Sequence, residues 1–467
     1  MNLNKSTIGI TNYTIILLVI VIWVLFLVFG LPLFDGTNLS NDAIYGYAQD
    51  IDSEIVTDWH SSLFGYEGIA LKRMARFFDI HLCGKACITV MASIIVTLMM
   101  LAVSYLTYVG CKKSLWCVLL PICVFVVTRI NEAQFEWRLD HFFVYLLFCL
   151  VAGIVALYRI RRKWWKTGVT LCVLLVLWHC CAFRKNSIIM APVVMGAVCY
   201  SYEKFRQFSY KKVVGFILLL TCSFAAVVGP LMNFIMPAVK TYPITPMLVS
   251  DVRIAHILNG TQDSFLDNSC VVGRSLMRDN LIGAHWHFMH GNEETCLLCN
   301  ITKKKNVYHC SNPWPLFLEG WKTIPKEMLV AKLIQVVQFY RIDKVVLPLE
   351  FIIEKAYPCI ASDSRINWPN TFSRREIVLI WGTFSLLLIT SQISFKRYKK
   401  NGKNAVSFDA FYLFAASLAF VYALSYAIVT PTTDYRYLMP SLCLGQLILI
   451  CWSARMAALL YRTHMCR

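Results

Sequence analysis

The sequence predicts an all-α polytopic membrane protein with about ten transmembrane helices and a long loop domain outside the membrane. Of its 467 residues, 58% are hydrophobic and only 15% are charged, and the mean hydropathy is +0.57. A soluble domain is about half apolar and about one quarter charged. A water-soluble core cannot absorb this excess of apolar residues, so most of the chain is expected to lie in a lipid bilayer.

Ten apolar runs define the expected helices. They lie at 15–34, 86–109, 115–128, 141–158, 167–183, 187–201, 213–236, 376–394, 407–429 and 438–460. A helix needs about 20 mainly apolar residues to cross the hydrocarbon core, and the third and sixth runs are shorter than that. The first run is too long for the core of a signal peptide and lacks a small-residue cleavage site, so it is predicted to be a retained helix.

Basic residues in the short loops predict the orientation. Cytoplasmic loops of membrane proteins carry an excess of Lys and Arg, and alternate loops here are rich in both, as at 159–166, 204–212 and 396–403. With these loops in the cytoplasm, both termini are cytoplasmic too. The net charge of +18 is then explained by membrane orientation, and no nucleic-acid partner is expected.

The predicted helices divide the chain into three regions. Residues 1–236 hold transmembrane helices 1–7 and an acidic first loop at 35–85, and residues 237–375 form a loop domain on the same non-cytoplasmic side. Residues 376–467 hold helices 8–10 and the C-terminus. The long loop has no spanning run but contains amphipathic helical stretches such as 326–342. A loop of this length is either functional or a small domain.

Four clusters of ionisable and aromatic residues lie at the non-cytoplasmic helix ends. They are 40–47 together with 57–61, 129–141, 183–187 and 433–440. Charge near a bilayer is costly and therefore suggests a function. Ordinary interfacial anchoring is enough to explain any one cluster. Because all four open on one predicted side, however, together they indicate a single site.

The residue types in these clusters favour acid/base chemistry beside an anionic group. A carboxylate can accept a proton from an attacking hydroxyl, and Asp42 is a better candidate than Asp58 because it follows helix one closely and heads an amphipathic stretch, 42–51. Cations can hold a phosphate leaving group by charge-assisted hydrogen bonds; they are Arg138, Lys185 and Arg436. Aromatic surfaces for a sugar ring or an isoprenoid chain are offered by Tyr45, Tyr47, Trp59 and Tyr435. His60 can orient an acid or bind substrate, although a lone histidine is more often a hydrogen-bonded loop residue.

Five cysteines of the long loop are candidates for disulfides. They are Cys270, Cys296, Cys299, Cys310 and Cys359. The Cys-x-x-Cys pair at 296–299 and the His-Cys pair at 309–310 also resemble the ligand spacing of a zinc site. The predicted oxidising compartment favours disulfides or free thiols over a metal, so no metal is predicted. Five cysteines leave one unpaired, and the sequence does not give the pairing.

These motifs together resemble the GT-C superfamily of polytopic glycosyltransferases that use lipid-phosphate sugars. The points of similarity are Asp42, Asp58-Trp59-His60, Arg184-Lys185-Asn186 and Arg436-Tyr437-Leu438-Met439-Pro440. The size, the two long external loops and the cytoplasmic C-terminus are similar to the phage-type, serotype-converting O-antigen glucosyltransferases of Gram-negative bacteria. The resemblance in architecture covers nearly the whole chain, whereas each motif is short.

The resemblance implies a GT-C-like fold in the bacterial inner membrane and a definite reaction. A hexose, glucose by the narrower similarity, passes with inversion from a polyprenyl phosphate to an O-antigen or lipopolysaccharide glycan at the periplasmic face. No cofactor is implied beyond this lipid-linked donor, and a donor synthase and a flippase are implied partners. The long periplasmic loop would hold the acceptor glycan.

The resemblance also implies roles for particular residues. Asp42 takes the position of the catalytic base, and the second acid is Glu132, Glu136 or Asp140, with no choice among them. The departing lipid phosphate would be stabilised by cations, namely Arg138, Arg184, Lys185 and Arg436. Tyr437 joins the aromatic residues that would contact the sugar or the lipid. The chain departs from the stricter family pattern in carrying Asn41 before Asp42, where many members have two acids, which argues against a two-acid or metal-assisted mechanism.

Two other functions fit parts of the sequence. An O-antigen polymerase or ligase also acts on lipid-linked glycans with external arginines, and it would need no essential acid in the first loop. A lipid-linked glycan transporter would place charged residues near the bilayer centre. The charges here gather at helix ends, which favours the glycosyltransferase over the transporter.

Overall fold

A computed structural model of the chain gives a bundle of helices. It describes residues 21, 47–56, 62–111, 123–124, 126–128, 139–238, 245–261, 299–302, 307–310, 314–340, 342, 355–357, 374–400, 408–428 and 435–465. In chain order the α-helices are α1 (Gln49–Ser53), α2 (Ser62–Phe77), α3 (Gly84–Cys111), α4 (Leu139–Arg159), α5 (Lys163–Phe183), α6 (Ala191–Ser201), α7 (Glu203–Arg206), α8 (Tyr210–Ala226), α9 (Met232–Ile235), α10 (Thr245–Leu258), α11 (Trp314–Thr323), α12 (Pro325–Phe339), α13 (Arg374–Ile377), α14 (Thr383–Lys400), α15 (Phe408–Ile428) and α16 (Met439–Met465). Two 3₁₀ turns, two π-helical turns and two strands complete the described elements: Lys185–Met190, Tyr435–Leu438, Val227–Leu231, Val378–Gly382, β1 (Cys299–Thr302) and β2 (Val307–Cys310).

Seven helical stretches within the described residues are long and apolar enough to cross a membrane. They are Gly84–Leu106, Phe142–Arg159, Lys163–Phe183, Tyr210–Ile235, Arg374–Lys400, Phe408–Ala427 and Met439–Ala457. Each coincides with one of the ten predicted runs. The described part of the chain is therefore a helical membrane protein, as the composition predicts.

The other three predicted runs are not among these seven stretches. Nearly all of 15–34 and most of 115–128 lie outside the described residues. The run 187–201 forms the 3₁₀ turn Lys185–Met190 and the 11-residue helix α6, which is short for a membrane span. The count of ten helices stays a prediction.

Helix α4 forms the centre of the bundle. It packs against α3, α5 and α16, and its Phe143, Leu150 and Ile154 are fully buried. From Phe142 onward its sequence is apolar around the whole circumference, which is typical of a helix with neighbours on every side. Helix α8 shows the opposite case, because none of its residues is buried although the helix is strongly apolar. Such a surface suits contact with lipid.

The helices alternate in direction, so the bundle has two ends. At one end, which we call the Arg184 end, α5 ends and α4 begins, and the rings of Phe142 and Phe183 lie 6.2 Å apart. At the other end, the Tyr158 hydroxyl donates a hydrogen bond of 3.0 Å to the Ala197 carbonyl. The orientation of these ends relative to the two sides of the membrane stays a prediction from the loop charges.

A second, smaller core lies in the long segment between the spans. Helices α10, α11 and α12 pack together around Val252, Ala255, Met328 and Ala331. Helix α12 covers most of the stretch 326–342 that the sequence predicts to be helical. Strands β1 and β2 pair antiparallel, with Cys299 opposite Cys310. This short hairpin is a small exception to the predicted all-α class.

The small core is joined to the bundle at the end of α12. The rings of Phe339 and Tyr426 lie 5.3 Å apart, and the Tyr340 hydroxyl donates to the Ala423 carbonyl of α15. The Trp381 Nε1 in turn donates to the Tyr340 carbonyl over 3.0 Å. These contacts fix the long loop to two of the candidate spans.

Candidate functional site at the Arg184 end

The first loop is folded against the bundle. Tyr47, from the first predicted cluster, is buried, and its ring lies 4.9 Å from that of Phe64 on α2. Phe64 lies 5.2 Å from Phe183 and 6.2 Å from Phe142. Parts of two predicted clusters, and Phe142 directly after a third, therefore meet around the Phe64 ring.

Helix α2 was not among the predicted elements. It buries Leu63, Phe64 and Ile69 and exposes Arg73 and Arg76, so it has the apolar and charged faces of an amphipathic helix. At 16 residues with several charges it falls below the hydropathy of a span. Periodicity within the acidic 35–85 segment is the signal that could have revealed it.

Lys72 and Asp52 hold the first loop to the start of α3. The Lys72 Nζ donates to the carbonyls of Ile51 (3.1 Å) and Asp52 (3.2 Å), and it lies 3.5 Å from the Asp52 carboxylate. The same carboxylate accepts the Gly84 backbone N–H over 2.7 Å. The first amides of a helix have no partner within it, so Asp52 stabilises α3 by capping its first turn.

Glu54 forms a second connection between α1 and α2. Its carboxylate accepts hydrogen bonds from Arg73 Nη2 (2.7 Å) and Arg76 Nη1 (3.1 Å). The hydrogen bond from Arg73 lowers the pKa of the Glu54 carboxyl. These acids of the first loop therefore have structural partners and are not candidates for the base.

Helix α2 is also held to α5 by Glu67 and His179. The Glu67 Oε1 lies 2.7 Å from His179 Nε2, and the His179 Nδ1 lies 2.8 Å from the Leu175 carbonyl. A carbonyl oxygen only accepts, so Nδ1 carries a hydrogen. The contact between Nε2 and the Glu67 carboxylate needs one more hydrogen, which is carried by either the ring nitrogen or the carboxyl group. His179 stands in an apolar run, and an ionisable residue there is a signal that the sequence analysis passed over.

Arg184 and Tyr437, both predicted site residues, are brought together. Helix α5 ends at Phe183 because the Arg184 backbone is extended (φ −138°, ψ 100°). The Arg184 guanidinium carbon lies 4.8 Å from the centre of the Tyr437 ring, a cation–π distance. Asn186 Nδ2 donates to Ser425 Oγ over 2.6 Å. The motif 184–186 is thereby joined to the end of α15 and the start of α16.

Lys185 lies on the wall of a cavity of about 640 Å³. The cavity is bounded by the start of α2, the last turn of α5 and the π-helical turn Val227–Leu231. Its apolar lining includes Trp178, Ile188, Val228 and Phe234, and Ser62 and Asn233 add polar groups. Single π-helical turns inside helices are frequent at functional sites. One exposed cation beside an apolar pocket suits an amphiphile with an anionic head.

Many predicted site residues lie outside the described residues. They are Asp42, Tyr45, Asp58, Trp59, His60, Glu132, Glu136, Arg138, Cys270, Cys296 and Cys359. For five more, only the backbone is described: Asp140 belongs to the first turn of α4, Tyr435 and Arg436 belong to the 3₁₀ turn before α16, and Cys299 and Cys310 belong to β1 and β2. The backbone positions of Asp140, Tyr435 and Arg436 fall at the Arg184 end. The assignment of a base and of disulfides stays a prediction.

Comparison of the chain with family models, with curated proteins and with solved structures found no match. Among the residues that the structure describes, no three His, Cys, Asp or Glu side chains are grouped as a metal site would need. One end of the helical bundle therefore combines the exposed cation Lys185, the Arg184–Tyr437 cation–π contact and a cavity lined mainly by apolar side chains.

Proposed function

We propose that this protein is an inverting membrane glycosyltransferase. It moves a hexose from a polyprenyl phosphate to an O-antigen or lipopolysaccharide glycan at the periplasmic face of the bacterial inner membrane. The observation that carries the proposal is the position of Lys185 on the wall of a cavity at the Arg184 end that is lined mainly by apolar side chains. A lipid-linked sugar phosphate combines the apolar chain and the anionic head that such a cavity fits.

The cavity offers the lipid-linked donor two kinds of contact, apolar surface for the isoprenoid chain and a positive charge for the phosphate. Trp178, Ile188 and Val228 supply apolar surface for isoprenoid units. Lys185 supplies a charge-assisted hydrogen bond to the phosphate, which is stronger than a bond between neutral groups. Arg184 is the preceding residue in the chain and adds a second positive charge at the same end.

The length of the intervening chain allows Asp42 to reach this site. Asp42 precedes Tyr47 by five residues, and five extended residues span at most about 18 Å. Tyr47 is fixed against Phe64, which itself contacts Phe183. This upper limit on the distance between Asp42 and Tyr47 allows Asp42 to act as the base for a reaction at the mouth of the Lys185 cavity.

In the proposed reaction, Asp42 takes the proton of an acceptor hydroxyl. The hydroxyl oxygen then attacks the anomeric carbon from the face opposite the phosphate, and the new glycosidic bond forms as the bond to the phosphate oxygen breaks. The phosphate leaves with the bonding electron pair, and its added charge is stabilised by Lys185 and Arg184. The Asp42 proton is released to water after the sugar has moved.

The proposal is tested by the mass of the lipopolysaccharide repeat unit in a Gram-negative host that also expresses a donor synthase and a flippase. The wild-type chain is expected to add one hexose per repeat, and Asp42→Asn is expected to abolish the gain at an equal protein level. Asp79→Asn is the matched control, because Asp79 is an exposed acid of the same loop. Its left-handed backbone (φ 58°) also tolerates Asn.

Two outcomes would contradict the proposal. With the donor supplied, an unchanged repeat mass together with a changed chain length would favour the O-antigen polymerase. Full hexose addition by Asp42→Asn would remove the assigned base.

A further inference from the structure

Helix α12 is apolar on two opposite sides. One side packs into the small core through Met328 and Ala331. The other side carries Leu329 and Leu333, whose exposed fractions are 54% and 52%, with the half-buried Val337 in line. An exposed apolar side of a helix is favourable only where it has apolar surroundings, so this second side is expected to be covered.

Helix α11 carries a similar exposed apolar side. Trp314, Leu318 and Trp321 are all exposed, and their spacing of four and three residues puts them on one side of the helix. Gly320 faces inward, toward Met328. Tryptophan has an apolar body and a polar N–H, and it is enriched at the membrane–water interface.

Both helices are held close to the membrane by the end of α12. Tyr340 contacts Ala423 and Trp381, which belong to the candidate spans Phe408–Ala427 and Arg374–Lys400. Leu333 precedes Tyr340 by seven residues, which is about 10 Å along a helix. The headgroup layer on each side of a bilayer is roughly 5–8 Å thick. The exposed side of α12 therefore begins within about 10 Å of a residue that contacts two candidate spans.

We propose that the exposed sides of α11 and α12 lie in the lipid headgroup interface. The small core then rests on the membrane beside the bundle instead of extending into water. Helix α12 has 15 residues and is about 22 Å long, which is too short to cross the hydrocarbon core. A position in the headgroup interface would still bring Leu329 and Leu333 into contact with lipid. The neighbouring span Arg374–Lys400, which contacts Tyr340 through Trp381, also has exposed apolar residues, including Val378 and Leu386. The inference does not depend on the proposed glycosyl transfer.

The test is photo-crosslinking of the full-length protein in its native membrane. The photoreactive residue p-benzoylphenylalanine replaces Leu333 or Leu318, in cells grown with radioactive phosphate. The control position is Thr323, which is exposed on α11 but lies about 140° around the helix from Leu318. After illumination and purification under denaturing conditions, the radioactive label on the protein measures its bonds to phospholipid.

The proposal predicts several times more phospholipid label at Leu333 and at Leu318 than at Thr323. Label at the two leucines no higher than at Thr323 would overturn it. A crosslinked product of twice the mass would show that a second copy covers these helices. A crosslink within one chain would show that another segment of the protein covers them. The readout needs no enzymatic activity, so its failure is distinct from failure of the proposed function.

Discussion

Lys185 is the residue on which the proposed donor site most depends. Replacing it by glutamine keeps a polar side chain of similar length but removes the positive charge. A hydrogen bond to a charged group contributes about 1.5–3 kcal/mol, so we expect Lys185→Gln to lower hexose transfer by roughly tenfold to a hundredfold. Lys185→Arg should keep most of the activity.

The matched control for this substitution is Lys211→Gln. Lys211 is exposed in the first turn of α8, at the opposite end of the bundle. Transfer is measured as hexose per repeat at equal protein level. Wild-type transfer by Lys185→Gln, or an equal loss in Lys211→Gln, would contradict the assigned role.

Asp251 is a second residue with a testable property, in the small core. It is buried, and Lys332 lies 3.5 Å away. Burial raises the pKa of the Asp251 carboxyl to about 6, although Lys332 acts in the opposite direction. Between pH 4 and 6 the folded state thus binds more protons than the unfolded state, and the free energy of unfolding falls as the pH rises.

Because the pKa of Asp251 rises from 3.8 to about 6 on folding, we expect the free energy of unfolding to fall by about 3 kcal/mol between low and neutral pH. The measurement is proteolysis of the long loop in membrane vesicles across this pH range. Protection should weaken between pH 4 and 6 in the wild type, and the change should flatten in Asp251→Asn. The same pH dependence in both proteins would exclude Asp251 as its cause.

At the scale of elements, the contact between α1 and α3 depends on a glycine. A Cβ on Gly84 would lie 2.1 Å from the Ala48 carbonyl oxygen, which is backbone and cannot turn aside. Gly84→Ala should therefore displace α1 and destabilise the fold by about 1–3 kcal/mol, as overpacking typically does.

Gly215→Ala is the control for this prediction, because nothing lies within 4 Å of a Cβ at Gly215. Alanine also favours a helix more than glycine does. The measurement is the temperature at which the detergent-solubilised protein loses its monodisperse peak. An unchanged midpoint for Gly84→Ala would show that the close approach does not constrain the loop.

The sequence predicts the spans better than the elements between them. A span depends on local hydropathy over about 20 residues, and α5 ends at Phe183, where the run 167–183 predicts. Helix α2 was missed because its mean hydropathy is too low for a span, although the periodicity of its apolar residues was a local signal. The pair formed by Glu67 and His179 joins residues 112 positions apart, and no local pattern specifies such a pair.

At the scale of the whole molecule, one end of the bundle gathers the proposed site. Alternating spans place alternate loops at the same end, which is why the sequence predicts that the four clusters lie together. Among the described residues, Tyr47 and Phe183 both contact Phe64, and Arg184 lies against Tyr437. The Lys185 cavity was not predictable, because it forms between α2, α5 and a π-helical turn that no periodicity in the sequence indicates.

The most direct test of the central claim is hexose transfer by the purified protein in proteoliposomes. They contain a polyprenyl phosphate that carries a radioactive hexose, together with an O-antigen acceptor. We predict that the wild-type chain and Asp79→Asn move the label into the glycan, and that Asp42→Asn does not. Label that stays on the lipid with the wild-type protein, while donor and acceptor are intact, would contradict the assignment of this chain as a glycosyltransferase.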